Sequence, residues 1–219
     1  MKYLKTLLIT LLVGSTTIFA QQQDNALKAK KILDKVSEKT KTYSTIKAVF
    51  SFEMINQQEK IDEKTHGTIW IKGPKYKLNL LGIETYCDGK YVWSYNKDDE
   101  EVTMSKYDPN DDEALNPANI FNIYKKGFKY NFVRAMFKDT RALYVIDLIP
   151  LNYDGEYSKI RLTVDKDKNT IYSMTRYGND GNIYIVKIKQ MEVNKAMNDN
   201  MFVFDTNKHP NVELIDDRD

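Results

Sequence analysis

Ile46-Lys47-Ala48-Val49-Phe50-Ser51-Phe52-Glu53-Met54-Ile55 carries the apolar residues Ile46, Ala48, Phe50, Phe52 and Met54 at every second position. Side chains of an extended chain point alternately to the two faces of a sheet. The run therefore predicts a strand with one strongly apolar face. Just before it the period is different. Ala26, Ala29, Leu33 and Val36, reinforced by Leu27 and Ile32, recur at three- and four-residue spacing among lysines, which predicts an amphipathic helix over 24–41. Asp24 or Asn25 serves as its N-cap.

Downstream the period stays at two. Thr68–Lys72 reads as a strand stopped by Gly73-Pro74, and Tyr76, Leu78 and Leu80 mark the next. Ile83–Cys87 and Tyr91, Trp93, Tyr95 flank Asp88-Gly89, a strong hairpin signal. Glu101–Met104 returns after an acidic turn. The meander then breaks: Asn116-Pro117 has the form of an N-cap with proline at the first helical position, and Ile120, Ile123 and Tyr124 make a short apolar stripe that Gly127 ends. Further strands are predicted at 129–133, 142–149, 159–165, 171–177, 183–191 and 201–205. Ten or eleven consecutive strands joined by tight turns imply a curved antiparallel sheet, open or closed as a barrel, with one N-terminal and one inserted helix lying on its concave apolar face. The interior beneath such a lid is either an ordinary core or an apolar hollow for a greasy ligand. Phe50, Phe52, Leu78, Leu80 and Trp93 are expected to line it, with Leu33, Ile120 and Ile123 closing it.

Composition narrows the classes. In 219 residues, 42% are hydrophobic and 29% charged, with only 9 Gly and 5 Pro, which excludes a disordered or collagenous chain. The 15 Tyr and 9 Phe favour a pleated surface. Cys87 is the single cysteine, so no intramolecular disulfide and no cysteine-built zinc site can form. His66 and His209 stand apart in sequence, no nucleophile–base constellation or phosphate-cradling loop is present, and no cofactor or metal is expected. The acidic runs Asp98-Asp99-Glu100 and Asp111-Asp112-Glu113 lack calcium-loop spacing and read as solvated turns. An enzyme is therefore not the expectation.

Residues 1–20 read as a secretory signal peptide: Lys2 and Lys5, an apolar Leu7–Val13, then a smaller-residue exit ending in Ala20. That apolar stretch is shorter than the roughly 20 residues that span a bilayer. Cleavage near Ala20 leaves 21–219 as one domain. It also removes two lysines and no acid, so 31 of the 33 Lys+Arg face 31 Asp+Glu. A neutral chain is a poor partner for nucleic acid. The expectation is a monomer exported to the periplasm.

Four segments, in order, carry a family resemblance. Gly67-Thr68-Ile69-Trp70-Ile71-Lys72-Gly73-Pro74 resembles the Gly-x-Leu-Trp-Val-Lys-Arg-Pro segment of the periplasmic carriers of outer-membrane lipoproteins, the LolA-like family. Asp88-Gly89-Lys90-Tyr91-Val92-Trp93-Ser94-Tyr95-Asn96 is similar to the family's Ser-Asp-Gly-x-x-Leu-Trp-x-Tyr-Asn, and Lys47–Phe52 to its first strand. Met201-Phe202-Val203-Phe204-Asp205 with Asn211-Val212 is similar to its C-terminal ending. The resemblance implies an incompletely closed half-barrel under a helical lid, and a shuttle that shields the acyl chains of lipoproteins between an inner-membrane releasing transporter and an outer-membrane acceptor. A lipid-responsive envelope sensor on the same scaffold is the alternative. The family's motif has an arginine, taken to tie the lid down, where this chain has Gly73. That departure means either a different latch or a simple turn before Pro74. Trp70 and Lys72 share one strand face and Ile69 and Ile71 the other; alternation allows either pair to be the inner one.

Overall fold

The computed structural model describes residues 23–108, 124, 127–152 and 155–218. Helix α1 (23–41) is followed by β1 (Ile46–Asn56), β2 (Ile61–Lys72), β3 (Lys75–Leu80), β4 (Ile83–Cys87), β5 (Tyr91–Asn96), β6 (Glu101–Lys106), β7 (Phe128–Lys138), β8 (Arg141–Pro150), β9 (Tyr157–Asp165), β10 (Thr170–Gly178), β11 (Ile183–Val193) and β12 (Glu213–Asp217). All twelve form one sheet in the order β12-β6-β5-β4-β3-β2-β1-β11-β10-β9-β8-β7. Two antiparallel meanders, β1–β6 and β7–β11, thus meet at a β1–β11 seam, and the sheet ends on β7 and β12 without closing on itself.

Tight turns and bulges give this sheet its form. The predicted Asp88-Gly89 hairpin is present: the Asp88 carboxylate accepts from the Lys90 and Tyr91 amides at 2.8 Å each, and Gly89 takes φ +90°. Register shifts leave Lys189 unpaired on β11 opposite Val49/Phe50, Tyr172 on β10, and Val133 on β7. A fourth shift leaves Ser158 unpaired on β9, and because each bulge bends and twists its strand, the four together curl this half of the sheet.

The sequence pattern expects ten or eleven strands, one of them over 201–205. Instead Asp199–Phe202 is a 3₁₀ helix, capped by the Asn198 side chain accepting from the Asn200 amide, and Asp205 caps a second, Thr206–Lys208. Phe202 and Phe204 mimic strand alternation there, but two successive side-chain caps turn the backbone out of an extended path. The last strand is the wholly exposed β12, which pairs in parallel with β6 and has no apolar alternation to betray it. The predicted inserted helix, with Ile120 and Ile123, lies outside the described residues, as do the signal segment and its cut near Ala20. Nearby Tyr124 is described and buried.

Strand register assigns the two faces. Directly paired residues share a face. Ile46, Ala48 and Phe50 of β1 oppose Ile71, Ile69 and Gly67 of β2, and Val193, Met191 and Ile188 of β11. These belong to the inner face, which α1 covers with Ala29, Ile32, Leu33 and Val36. The far half contributes Ile146, Leu148, Ile160, Leu162 and Val164 to the same cluster. Each such Leu, Ile or Phe stabilises by about 1.5–3 kcal/mol when taken fully out of water.

A second, smaller core lies on the other side of the sheet. Tyr86, Trp93, Tyr95, Val102 and Met104 pair across β4, β5 and β6, and Phe204 covers them. The Phe204 ring stacks on His209 at 4.9 Å and meets Tyr95 at 5.1 Å and Tyr86 at 5.7 Å. Lys72 and Lys75 fix the start of this C-terminal strap by pairing with Asp199 at 2.7 and 2.9 Å. Those two hydrogen bonds hold the exposed Asp199 carboxyl down to about 2.

Outer-face charges at β4 make stability depend on acid. Burial pushes the Glu84 carboxyl up, but hydrogen bonds from Lys97 and Tyr86, with Lys77 close by, outweigh it and bring the group from the ordinary 4.5 to about 2. Lys97 is 2.6 Å and Lys77 3.3 Å from the carboxylate. A carboxyl lowered by folding stabilises above its unfolded value and loses that contribution as pH falls through the folded one. Denaturant midpoints measured from pH 6 to pH 2 should therefore fall less steeply for Glu84→Gln than for the wild type, the difference opening below about pH 5. Solvent screening keeps the effect to a shifted midpoint rather than a lost fold.

Candidate functional site

The helix that covers the inner face is dictated locally. Its buried positions follow three- and four-residue spacing, its other positions are mostly polar or charged and rich in lysine, and Lys30 pairs with Asp34 at 2.8 Å one turn on. Lys39 and Lys41 stand in the last turn, where the helix dipole favours cations. The Thr42 hydroxyl donates to the Lys39 carbonyl at 2.8 Å, closing the helix before the turn into β1.

Phe50 sits at the centre of the floor, 1% exposed. It fits because Gly67 is directly opposite on β2. A Cβ built on Gly67 would collide with the Phe50 ring and stand 3.0 Å from the Asn79 carbonyl oxygen. Overpacking a filled core costs about 1–3 kcal/mol. Gly67→Ala should therefore lower the unfolding free energy by that amount in a urea titration, although the substitution adds only one methyl group.

The expected lining residues divide between the two faces. Leu33, Phe50 and Phe52 share one buried cluster, and Leu78 and Leu80 pack against it, half-buried. Leu78 opposes Ile69 on β2, which settles that Ile69 and Ile71 are the inner pair and Trp70 and Lys72 the outer. Trp93 does not face that interior. It pairs with Tyr86 and Met104 on the outer face and belongs to the second core. Its neighbour Val92 is the inner residue there, opposite Cys87. In β4 the adjacent Tyr86 and Cys87 are both buried, one on each face, so burial no longer distinguishes the two phases. Gly73 takes φ +57° in the β2–β3 turn, and a Cβ there meets nothing within 4 Å. The position needs a left-handed backbone, which favours the turn reading of the departure.

Other inner residues escaped the sequence reading. Ile160, Leu162 and Val164 alternate cleanly in β9, and that signal was sufficient to add them. In β8 the run Leu143-Tyr144-Val145-Ile146-Asp147-Leu148 is buried on both sides, so alternation was masked. Arg176 was the least legible: it follows Met174 on the same face of β10, where a cation is not anticipated.

One end of the trough opens to solvent. A cleft of about 310 Å³ lies among Phe52, Met54, Glu63, Lys64, Thr65 and the exposed Leu81. That volume is at the lower end for small-molecule sites. On the inner face the thiol of Cys87 is pushed up to about 11, mainly by burial, which disfavours the reactive thiolate. Among the described residues, no group of three or more His, Cys, Asp or Glu is placed to hold a metal ion.

An uncharacterised conserved protein of Thermus thermophilus superposes with a TM-score of 0.57 at 9% identity, covering 86% of this chain and 99% of that one. A LolA superfamily protein of Nitrosomonas europaea aligns at 12% identity and a TM-score of 0.41, covering 80% and 97%. The lipoprotein LppX of Mycobacterium tuberculosis aligns at 10% identity and a TM-score of 0.46, covering 77% and 98%. No curated protein sequence matches the chain. The sequence model of the outer membrane lipoprotein carrier protein LolA matches residues 41–205, from the end of α1 through all of β1–β11 to the strap, and the chain belongs to that family.

Proposed function

We propose that this protein is a periplasmic carrier that shields the acyl chains of lipoproteins, or of another lipid-bearing ligand, in the apolar trough while they cross water. The observation that supports this reading is the inner face. An apolar surface runs across the seam and both half-sheets, covered among the described residues by α1 and ending in an open cleft beside Phe52 and Met54. Each CH₂ kept from water is worth about 0.8 kcal/mol, so exposed acyl chains strongly oppose transfer and a covered trough removes that penalty. Loading requires α1 to give way, because Leu33 and Phe50 fill the space beneath it. Binding is then an equilibrium between covered and uncovered states. On this reading the chain is made with a cleaved signal peptide, works without chemistry of its own, and exchanges cargo with an inner-membrane releasing transporter and an outer-membrane acceptor.

A fluorescent apolar probe tests it. The purified chain should bind the probe in about one-to-one stoichiometry and release it to a diacylated lipopeptide. Native mass spectrometry of protein recovered from its own periplasm should show bound diacyl lipid or lipoprotein. A folded protein that takes up neither probe nor lipopeptide would sink the proposal.

A further inference from the structure

Arg176 is out of place on a greasy wall. It is 7% exposed and stands on the inner face of β10, paired with Tyr184 of β11 and Ile160 of β9, both of which belong to the apolar interior. Its guanidinium lies 4.7 Å from the Tyr157 ring, and one terminal nitrogen donates to Glu156 at 2.5 Å. The Glu156 side chain is 59% exposed, so this pair runs from the wall outwards. The Nε–H of Arg176 is buried and has no acceptor among the described residues. A buried donor without an acceptor is costly, and buried donors are satisfied in the great majority of cases.

We infer that Arg176 is a head-group site of the trough, taking a neutral carbonyl oxygen, such as that of an ester or amide linkage at the head of an acyl chain. The inference rests on the carrier reading and names which part of the cargo is recognised. Three features fix the chemistry. The free group is a donor, so the ligand must supply an acceptor. Glu156 already neutralises the guanidinium, so a second carboxylate would meet a like charge while an uncharged carbonyl would not. Ile160, Tyr184 and Tyr157 around it are apolar or aromatic, so the acceptor arrives attached to a hydrocarbon tail lying along the same face.

Monopalmitoylglycerol and hexadecylglycerol ether separate these ideas, because they share head and chain length and differ by one carbonyl. Each is titrated against the bound fluorescent probe, with palmitate as a third competitor. The wild type should bind the ester about 10-fold tighter than the ether, the scale of a hydrogen bond to a charged group. In Arg176→Met the two should bind within about twofold of each other, chiefly through loss of ester affinity. Arg176→Lys, which keeps the charge but loses the Nε–H beside the paired nitrogen, should lose most of the preference as well. Equal ester and ether affinity in the wild type overturns the inference while leaving the carrier reading intact, and it does so without any variant having to fold. Palmitate binding more tightly than the ester in an Arg176-dependent way overturns it in favour of an oxyanion site. If no competitor displaces the probe, the carrier reading and this inference both fall.

Discussion

Phe50→Ala should lower the unfolding free energy by about 3–5 kcal/mol, and Phe50→Glu should abolish binding of an apolar probe in any fraction that still folds. Phe50 is among the largest fully buried side chains, it sits at the seam between the half-sheets, and it lies over Gly67 and under α1. Removing the ring opens a hole that Gly67, with no side chain, cannot fill from across the pair. The alanine effect is read from the midpoint of a urea titration. The glutamate effect needs a separate check of folding by circular dichroism, because a carboxylate among Ile69, Leu33 and Val186 must either stay uncompensated or take up a proton. Destabilisation below about 1 kcal/mol by the alanine would mean that the trough collapses readily, and the centre of the floor would have to be placed elsewhere.

Phe204→Ala should cost a similar amount by a different route, about 3 kcal/mol, and spare the trough. Phe204 is 5% exposed and its ring contacts Tyr86, Tyr95 and His209 on the outer face. Losing it should release the segment from Asp199 to Asp217, visible as faster amide exchange in β12 and in the two 3₁₀ helices. Amides of α1, on the other face, should exchange as before, and probe affinity should stay within about twofold, since residues on opposite faces with no shared partner behave independently. Equal loosening of α1 and of the strap would show that the two cores act as one.

Much of this was legible in residue order. The alternation from Ile46 to Met54 fixed the phase of the floor, the three- and four-residue spacing around Leu33 fixed the helix, and Asp88-Gly89 fixed a hairpin. Legibility failed wherever one strand was buried on both sides. Alternation alone places Trp93 inside with Leu78 and Leu80, because it presumes that apolar residues at alternate positions face one common interior. The C-terminal strap gives β5 a second interior, which cannot be seen until residues 199–212 fold back over it. The strap itself imitates a strand, since Phe202 and Phe204 alternate like strand residues while Asn198 and Asp205 cap the backbone into helical turns. Arg176 hid for the opposite reason: the inner face of β10 continues through a residue that hydropathy places outside.

The seam also governs the order of assembly. Thr45 donates to the carbonyl of Lys195 at 2.7 Å across a sequence separation of 150 residues, and β1 has no other sheet partner on that side until β11 arrives. While β11 is not yet in place, one edge of β1 remains open and flanked by Phe50 and Phe52, an invitation to pair with another chain. Closing a loop of that length also comes late, because its entropy is lost before the seam's contacts repay any of it. A holdase that covers β1 during this interval should therefore raise the yield of folded protein more than one acting on any later strand.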